Sequence, residues 1–302
     1  NLHIKKTIDL LNVEVTQNIF QHSSKLLNLL TVIFTAYLLK AKFKNVDTVS
    51  IGDWRAEWMH VVIAILQPNR VVLLDDGIIT ASIVKKLSKQ CQYNPLMFKR
   101  KRSINASLKH TVLRMFRVPS STDYQLEIFT AYSRSDVTGP LRITNNNYSN
   151  LTSNNIGTLT NEVLYFGTKY SEAGYLTLES EINFLRKVFK KLSTMYPNTK
   201  IVYIVHRDDS SVKKENIQKI GFQLILLNMP AELYLLNSNA APLVIAAASS
   251  SVLINATHFS PKSEILSFKL PMNEISKHKK AELVTMYYEI GLSTHITDIM
   301  AD

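Results

Sequence analysis

The chain has 302 residues, of which 46% are hydrophobic and 20% are charged. This composition excludes a largely disordered chain, and the length allows two domains or one large one. The 35 Lys and Arg residues outnumber the 24 Asp and Glu residues, giving a net charge of +11, which predicts attraction to nucleic acid, acidic lipid or acidic polysaccharide.

The first half of the chain alternates predicted helices and strands. A helix is predicted from Ser23 or Ser24 to about Leu39, and a β-α-β unit follows, with strands over residues 47–51 and 71–74 around a helix over 57–66. The unit should be parallel and right-handed. Its second strand is continuously aliphatic, which predicts cover on both faces of a sheet.

Further along, the sequence predicts a helix over residues 79–89 and a strand over 126–132, followed by a long loop rich in Asn, Ser and Thr over 144–161. Beyond the loop, strands are predicted over 163–166, 200–205, 221–227 and 264–270, with helices over 179–192 and 281–290. Two α/β regions joined by a loop predict two similar domains.

The single cysteine, Cys91, has no partner for an internal disulfide, and no Cys/His cluster has the spacing of metal ligands. We therefore expect a reducing compartment and a site that holds no metal or holds one only loosely. The apolar residues 26–39 are fewer than the about 20 that cross a bilayer, so they predict a buried helix.

Polar groups follow several of the predicted strands. They are the acid pair with glycine (Asp75, Asp76, Gly77), His206, Pro230 with Glu232, and a serine run (Ser249, Ser250, Ser251). Open α/β folds bind ligands at the carboxyl ends of their strands, and hydroxyls at a helix start suit a phosphate. Each group also has a plain structural interpretation as a helix cap, a first-turn acid or a polar loop.

As an ordered set, these groups resemble the acid-acid-glycine, histidine and serine motifs of bacterial sialyltransferases. The separation of the acid pair from the histidine is most similar to that in the capsule polysialyltransferases. The resemblance covers about Asp47 to Ala256. One departure is that Arg207 follows the histidine, where the family often has proline.

The resemblance implies an α/β, GT-B-like fold of two Rossmann-like domains facing across a cleft. Residues 1–160 would bind the acceptor and carry the general base, and residues 161–302 would bind CMP-sialic acid. The implied reaction is inverting transfer of sialic acid to the non-reducing end of a sialylated acceptor, as in elongation of a polysialic acid capsule chain.

The resemblance also implies roles for single residues. Asp76 would be the general base, with Asp75 as the alternative, and His206 would act as general acid or phosphate stabiliser. Glu232 would bind the ribose hydroxyls or the cytosine amine, beside Pro230. The serines Ser249, Ser250 and Ser251 would hold the phosphate. Cofactor and metal would both be unnecessary.

Basic residues supply a candidate surface for an anionic oligosialic or polysialic acid acceptor. They are Lys99, Arg100, Lys101, Arg102, Arg114 and Arg117. The spacing of the last two predicts a shared helix face. An ordinary solvated basic face and a contact with the acidic inner leaflet are the alternatives.

The expected enzyme is cytoplasmic, with a peripheral contact to the inner face of the bacterial inner membrane or to capsule-assembly proteins as a further expectation. A single-transfer lipooligosaccharide sialyltransferase is one alternative function. A basic α/β nucleic-acid-binding protein is the other, although no nucleic-acid module signature is present in the sequence and we expect no nucleic-acid partner.

Overall fold

A computed structural model describes residues 25–75, 77, 80, 83–84, 87, 104–120, 123–131, 141–148, 158–291 and 295–300. These residues form two compact units. The first contains residues 25–74, 87, 104–120, 123–129 and 141–143; the second contains the described residues of 75–86, then 130–131, 144–148, 158–291 and 295–300. The assignment of acceptor and donor binding to separate domains stays a prediction.

In the first unit, three helices pack together beside a small sheet. The helices are α1 (Lys25–Lys42), α2 (Glu57–Leu66) and α3 (Ile104–Met115); the strands are β1 (Thr48–Ile51), β2 (Arg70–Leu74), β3 (Gln125–Thr130) and β4 (Arg142–Asn145), in the order β1-β2-β3-β4. Apolar side chains from all three helices form one core: Val32, Ile33, Ala36, Val61, Ala64, Ile65, Val112 and Leu113.

Strand β2 leads into the acid pair. It pairs in parallel with β1 and β3, as the predicted β-α-β unit requires. Val71 and Leu73 are buried, whereas Leu74 is exposed. The prediction that both faces of this strand are covered was therefore wrong at its end, because an aliphatic run does not specify which neighbours cover it.

The second unit is built on a six-stranded parallel sheet. Its strands are β5 (Leu159–Phe166), β6 (Lys200–Val205), β7 (Gln223–Leu226), β8 (Ala241–Ala247), β9 (Glu264–Lys269) and β10 (Thr297–Met300); the helices are α4 (Leu178–Met195), α5 (Ser211–Ile220), α6 (Ala231–Asn237), α7 (Ser251–Phe259) and α8 (Lys277–Gly291). The order is β10-β9-β8-β5-β6-β7, and neighbouring strands run parallel.

This order is that of the dinucleotide-binding fold, with β5 as the first strand. The order in which successive strands are added reverses between β5 and β8. Val163 and Tyr165 of β5 face one apolar cluster, and Leu164 and Phe166 face the other. Both faces of the sheet are thus covered, and ligand access is left to its edges. The described helices include none long and apolar enough to span a bilayer.

The predicted loop over residues 144–161 is shorter than expected at both ends. Asn145 ends strand β4, and strand β5 already begins at Leu159. Both segments are polar, so the sequence lacked the apolar alternation that usually marks strands. Residues 149–157 lie outside the described residues.

Candidate active site

The acid motif follows strand β2, and its first carboxylate, that of Asp75, is held by a backbone N–H. Asp75 Oδ2 accepts the Ala131 N–H at 2.6 Å. Burial raises the pKa of Asp75, and hydrogen bonds from Thr130, Ala131 and Thr80 only partly oppose that rise. Asp76, predicted to be the general base, lies outside the described residues.

The glycine of the motif lies close to the serine run. Gly77 has φ +62°, a conformation that side chains disfavour, and a Cβ on it would lie 3.3 Å from Ser251 Oγ. Ser251 is the first residue of α7, and Ser250 caps that helix by accepting the Val252 N–H at 3.4 Å. Two of the predicted motifs therefore meet at a helix N-terminus, where anions are favoured.

Glu232 belongs to a chain of polar side chains that includes two residues the sequence did not reveal. Tyr148 Oη donates to Asn255 Oδ1 at 3.3 Å, and Asn255 Nδ2 donates to Glu232 Oε1 at 3.0 Å. Burial raises the pKa of Tyr148 to about 12, with further contributions from the charges of Asp75 and Glu232. The acid motif and Glu232 therefore both act electrostatically on the same phenol.

The sequence contained a signal for one of these two residues. Asn255 is four residues after Ser251 on α7, so the two share a helix face. Tyr148 lies within the predicted polar loop, without any periodic pattern around it, and its ring packs against His258 and Phe259. Only the folded chain identifies it.

His206 directly follows strand β6, as predicted, and its ring is fixed by the turn. Its Nδ1 accepts the Asp208 N–H at 3.1 Å, which leaves the proton of the neutral ring on Nε2. Burial lowers the pKa of His206, although the charges of Asp209 and Asp208 oppose this effect. At neutral pH the ring is therefore an uncharged donor through Nε2.

A buried ionic cluster holds the turn that carries the histidine. Asp209 Oδ2 accepts the His206 N–H at 2.8 Å, and Asp209 Oδ1 lies 2.7 Å from Lys213 Nζ. Lys213 is fully buried and also contacts Glu181 at 2.6 Å and Glu172 at 3.3 Å. Burial lowers the pKa of Lys213, but the charges of Glu181 and Asp209 outweigh it, so that the pKa is raised overall.

The turn that carries His206 follows β6, the neighbour of β5, and β5 is where the strand order reverses. A Cβ on Gly167, just past β5, would lie 2.3 Å from Tyr203 Oη, so only glycine fits there. Tyr203 Oη in turn donates to Asp209 at 3.2 Å. Ser249, buried with φ 45°, follows β8 on the other side. Since strands lie about 4.8 Å apart, the ends of β6 and β8 are about 10 Å apart with β5 between them.

The remaining predicted site residues are Pro230 and the basic residues. Pro230 caps α6 and is exposed. The basic run Lys99, Arg100, Lys101 and Arg102 lies outside the described residues. Helix α3 ends at Met115, and Arg117 has φ 51°. The prediction that Arg114 and Arg117 share a helix face was therefore wrong, because the helix stops between them.

Comparison with known proteins connects these features to a fold. No family model matches the chain. No curated protein matches it either. An α/β-galactoside α-2,3-sialyltransferase from the luminous marine bacterium Photobacterium phosphoreum superposes with a TM-score of 0.54 at 14% identity, over 95% of this chain and 88% of that one. The fold is GT-B-like.

A second solved structure, MurG from Acinetobacter baumannii, matches with a TM-score of 0.41 at 11% identity, over 91% of this chain and 65% of that one. The predicted α/β, GT-B-like fold class is confirmed by the first similarity. At such low identity the similarity extends to the fold alone.

Proposed function

We propose that the chain is an inverting glycosyltransferase that moves sialic acid from CMP-sialic acid to a hydroxyl at the non-reducing end of a sialylated acceptor, elongating a polysialic acid chain. The observation that carries the proposal is the close approach of Gly77 to Ser251, whose Oγ would lie 3.3 Å from a Cβ on the glycine. It joins two motifs of the sialyltransferase resemblance at the carboxyl edge of a nucleotide-binding type of sheet.

In the proposed reaction, the acceptor oxygen forms a bond to the anomeric carbon of sialic acid as the bond from that carbon to the CMP phosphate oxygen breaks. The acceptor hydroxyl proton passes to Asp76. Asp75 is already engaged by the Ala131 N–H, and we assign it the role of fixing the motif. General-base assistance of this kind contributes about 10²–10⁴-fold to a rate.

The departing CMP gains negative charge on its phosphate. His206 donates a hydrogen bond or a proton from Nε2, and Ser250 and Ser251 donate from the start of α7. Ser249 is the alternative donor if the phosphate sits one residue earlier. CMP carries one phosphate and no diphosphate, so the proposed reaction needs no metal to neutralise it.

Glu232 is proposed to bind the ribose hydroxyls or the cytosine amine. Its Oε1 is held by Asn255, which in turn holds Tyr148. A carboxylate fixed by a neighbouring amide loses less conformational entropy when it accepts a further hydrogen bond. Pro230 starts the helix that carries Glu232.

The test is turnover of CMP-sialic acid with labelled sialyl acceptors of several lengths. We expect Asp76→Ala to reduce transfer by about 10²-fold or more, whereas Asp123→Ala, at an exposed acid, leaves it unchanged. A ladder of products supports chain elongation, and a single added residue indicates a single-transfer enzyme instead.

Two results would overturn the assignment. One is absence of both transfer and hydrolysis with CMP-sialic acid while the protein is folded. The other is thermal stabilisation by single-stranded DNA without stabilisation by CMP, which would support the nucleic-acid-binding alternative.

A further inference from the structure

Helix α1 presents a row of large apolar side chains to solvent. Leu27, Phe34 and Leu38 are 54%, 66% and 56% exposed. Separations of seven and four residues place them on one face of the helix. The opposite face, with Val32, Ile33 and Ala36, is buried in the core of the first unit.

The end of helix α3 extends this apolar surface. Tyr37 Oη donates to the Phe116 carbonyl at 2.7 Å, so the end of α3 lies directly beside α1. Met115 and Phe116 are 67% and 37% exposed. We call the surface formed by Leu27, Phe34, Leu38, Met115 and Phe116 the apolar patch. Clustered exposure of this kind usually marks an interaction site.

The two chain segments that carry the apolar patch contain basic residues and no acidic ones. Lys40, Lys42 and Lys44 follow its α1 part, and Arg114 and Arg117 flank its α3 part. Residues 25–46 and 104–122 contain no Asp or Glu. A surface that is apolar at its centre and positive around it fits a partner that is both apolar and anionic.

We propose that the apolar patch docks onto the surface of an anionic lipid bilayer. The apolar side chains enter the boundary between headgroups and acyl chains, and the basic residues contact the acidic headgroups. A second copy of the chain would bring like charges together, and a polyanionic glycan offers nothing for Phe34 and Met115 to bury against. A single-stranded nucleic acid can stack a base on Phe34 but leaves the aliphatic side chains of Leu27, Leu38 and Met115 without a matching surface. The proposal is independent of the transferase reaction.

The test is co-sedimentation of the full chain with lipid vesicles. One set of vesicles is phosphatidylcholine alone, and the other contains about one third phosphatidylglycerol, each at low and high salt. We expect binding to the anionic vesicles that weakens as salt rises. Each basic residue near the surface contributes about fivefold, so Arg114→Gln with Arg117→Gln should weaken binding about 25-fold.

Phe34→Ser with Leu38→Ser should weaken binding about tenfold or more, because buried CH₂ groups are lost from the membrane contact. The matched controls lie on the second unit. Lys187→Gln with Lys190→Gln removes exposed charge at the same spacing as the arginine pair, and Val212→Ser with Leu226→Ser removes exposed apolar side chains. We expect both controls to bind as the unmodified chain does, and melting curves confirm folding of every variant.

Three outcomes would overturn the proposal. The first is equal partition of the patch variants and their controls. The second is self-association without vesicles that the Phe34 and Leu38 substitutions abolish, which would assign the patch to a second copy. The third is unaltered vesicle binding by the arginine variant together with weaker use of soluble sialyl acceptors, which would support the predicted acceptor-binding role of Arg114 and Arg117.

Discussion

Replacement of Lys213 by methionine tests whether the buried cluster stabilises the second unit through charge. The Lys213 side chain is fully buried, with its Nζ 2.6 Å from Glu181 and 2.7 Å from Asp209. Methionine fills a similar volume but carries no charge and no donor. The carboxylates of Glu181 and Asp209 would remain buried without their cation.

Removal of one partner of a buried ion pair costs about 3–5 kcal/mol, because the other charge is left uncompensated. For a unit of this size, each 1 kcal/mol lowers the melting temperature by about 2–4 °C, so the expected decrease is about 6–20 °C. Urea denaturation and calorimetry measure both quantities. Lys214→Met is the matched control, since its side chain is adjacent in sequence and partly exposed.

A second substitution separates charge from packing. Glu181→Gln in the Lys213→Met background removes one of the two uncompensated charges and should recover part of the lost free energy of unfolding, although Glu181→Gln alone destabilises. A loss below about 1 kcal/mol for Lys213→Met, or further destabilisation by the second substitution, would refute the electrostatic explanation.

The remaining predictions concern the candidate site. Gly77→Ala should lower turnover far more than Gly174→Ala, because both glycines have positive φ but only a Cβ at residue 77 would approach Ser251. Equal losses of turnover in the two variants would contradict a role for the close approach of Gly77 to Ser251. Burial raises the pKa of Asp75, so ionisation of this carboxyl destabilises the folded chain as pH rises. Asp75→Asn should therefore raise the melting temperature at neutral pH, and the gain should disappear toward acid pH. A gain that does not vary with pH would contradict the raised pKa of Asp75. Burial lowers the pKa of His206, so the contribution of the neutral ring to stability is lost as pH falls through the folded-state pKa. An NMR titration of His206 should show a midpoint below 6.5 and a proton on Nε2. A higher midpoint or a proton on Nδ1 would exclude the role of a neutral donor.

Much of the fold could be predicted from local sequence. Strand β6 and helix α2 occupy the residues expected of them, since a continuous aliphatic run and a helical apolar period are strong signals. Helix α5 was missed because most of its residues are polar and its apolar positions are few. Parallel strand order was also inaccessible, because crossover length does not specify which strand a new one pairs with.

The site was predictable only where a residue follows a buried strand. That rule located Asp75, His206 and the serine run at strand ends. It gave no signal for Tyr148, whose partner Asn255 is far away in the chain, or for the pairing of Lys213 with the equally distant Glu181. Long-range pairing of polar groups leaves no periodic mark on a sequence.

The close approach of Gly167 to the Tyr203 hydroxyl means that the end of β5 tolerates substitution less well than exposed positions do. Any larger residue at 167 would displace the phenol from Asp209 and so disturb the turn that carries His206. Exposed residues such as Met229 and Leu233 are free of this constraint, whereas the end of β5 must keep a bare backbone for as long as the aromatic ring beside it is retained.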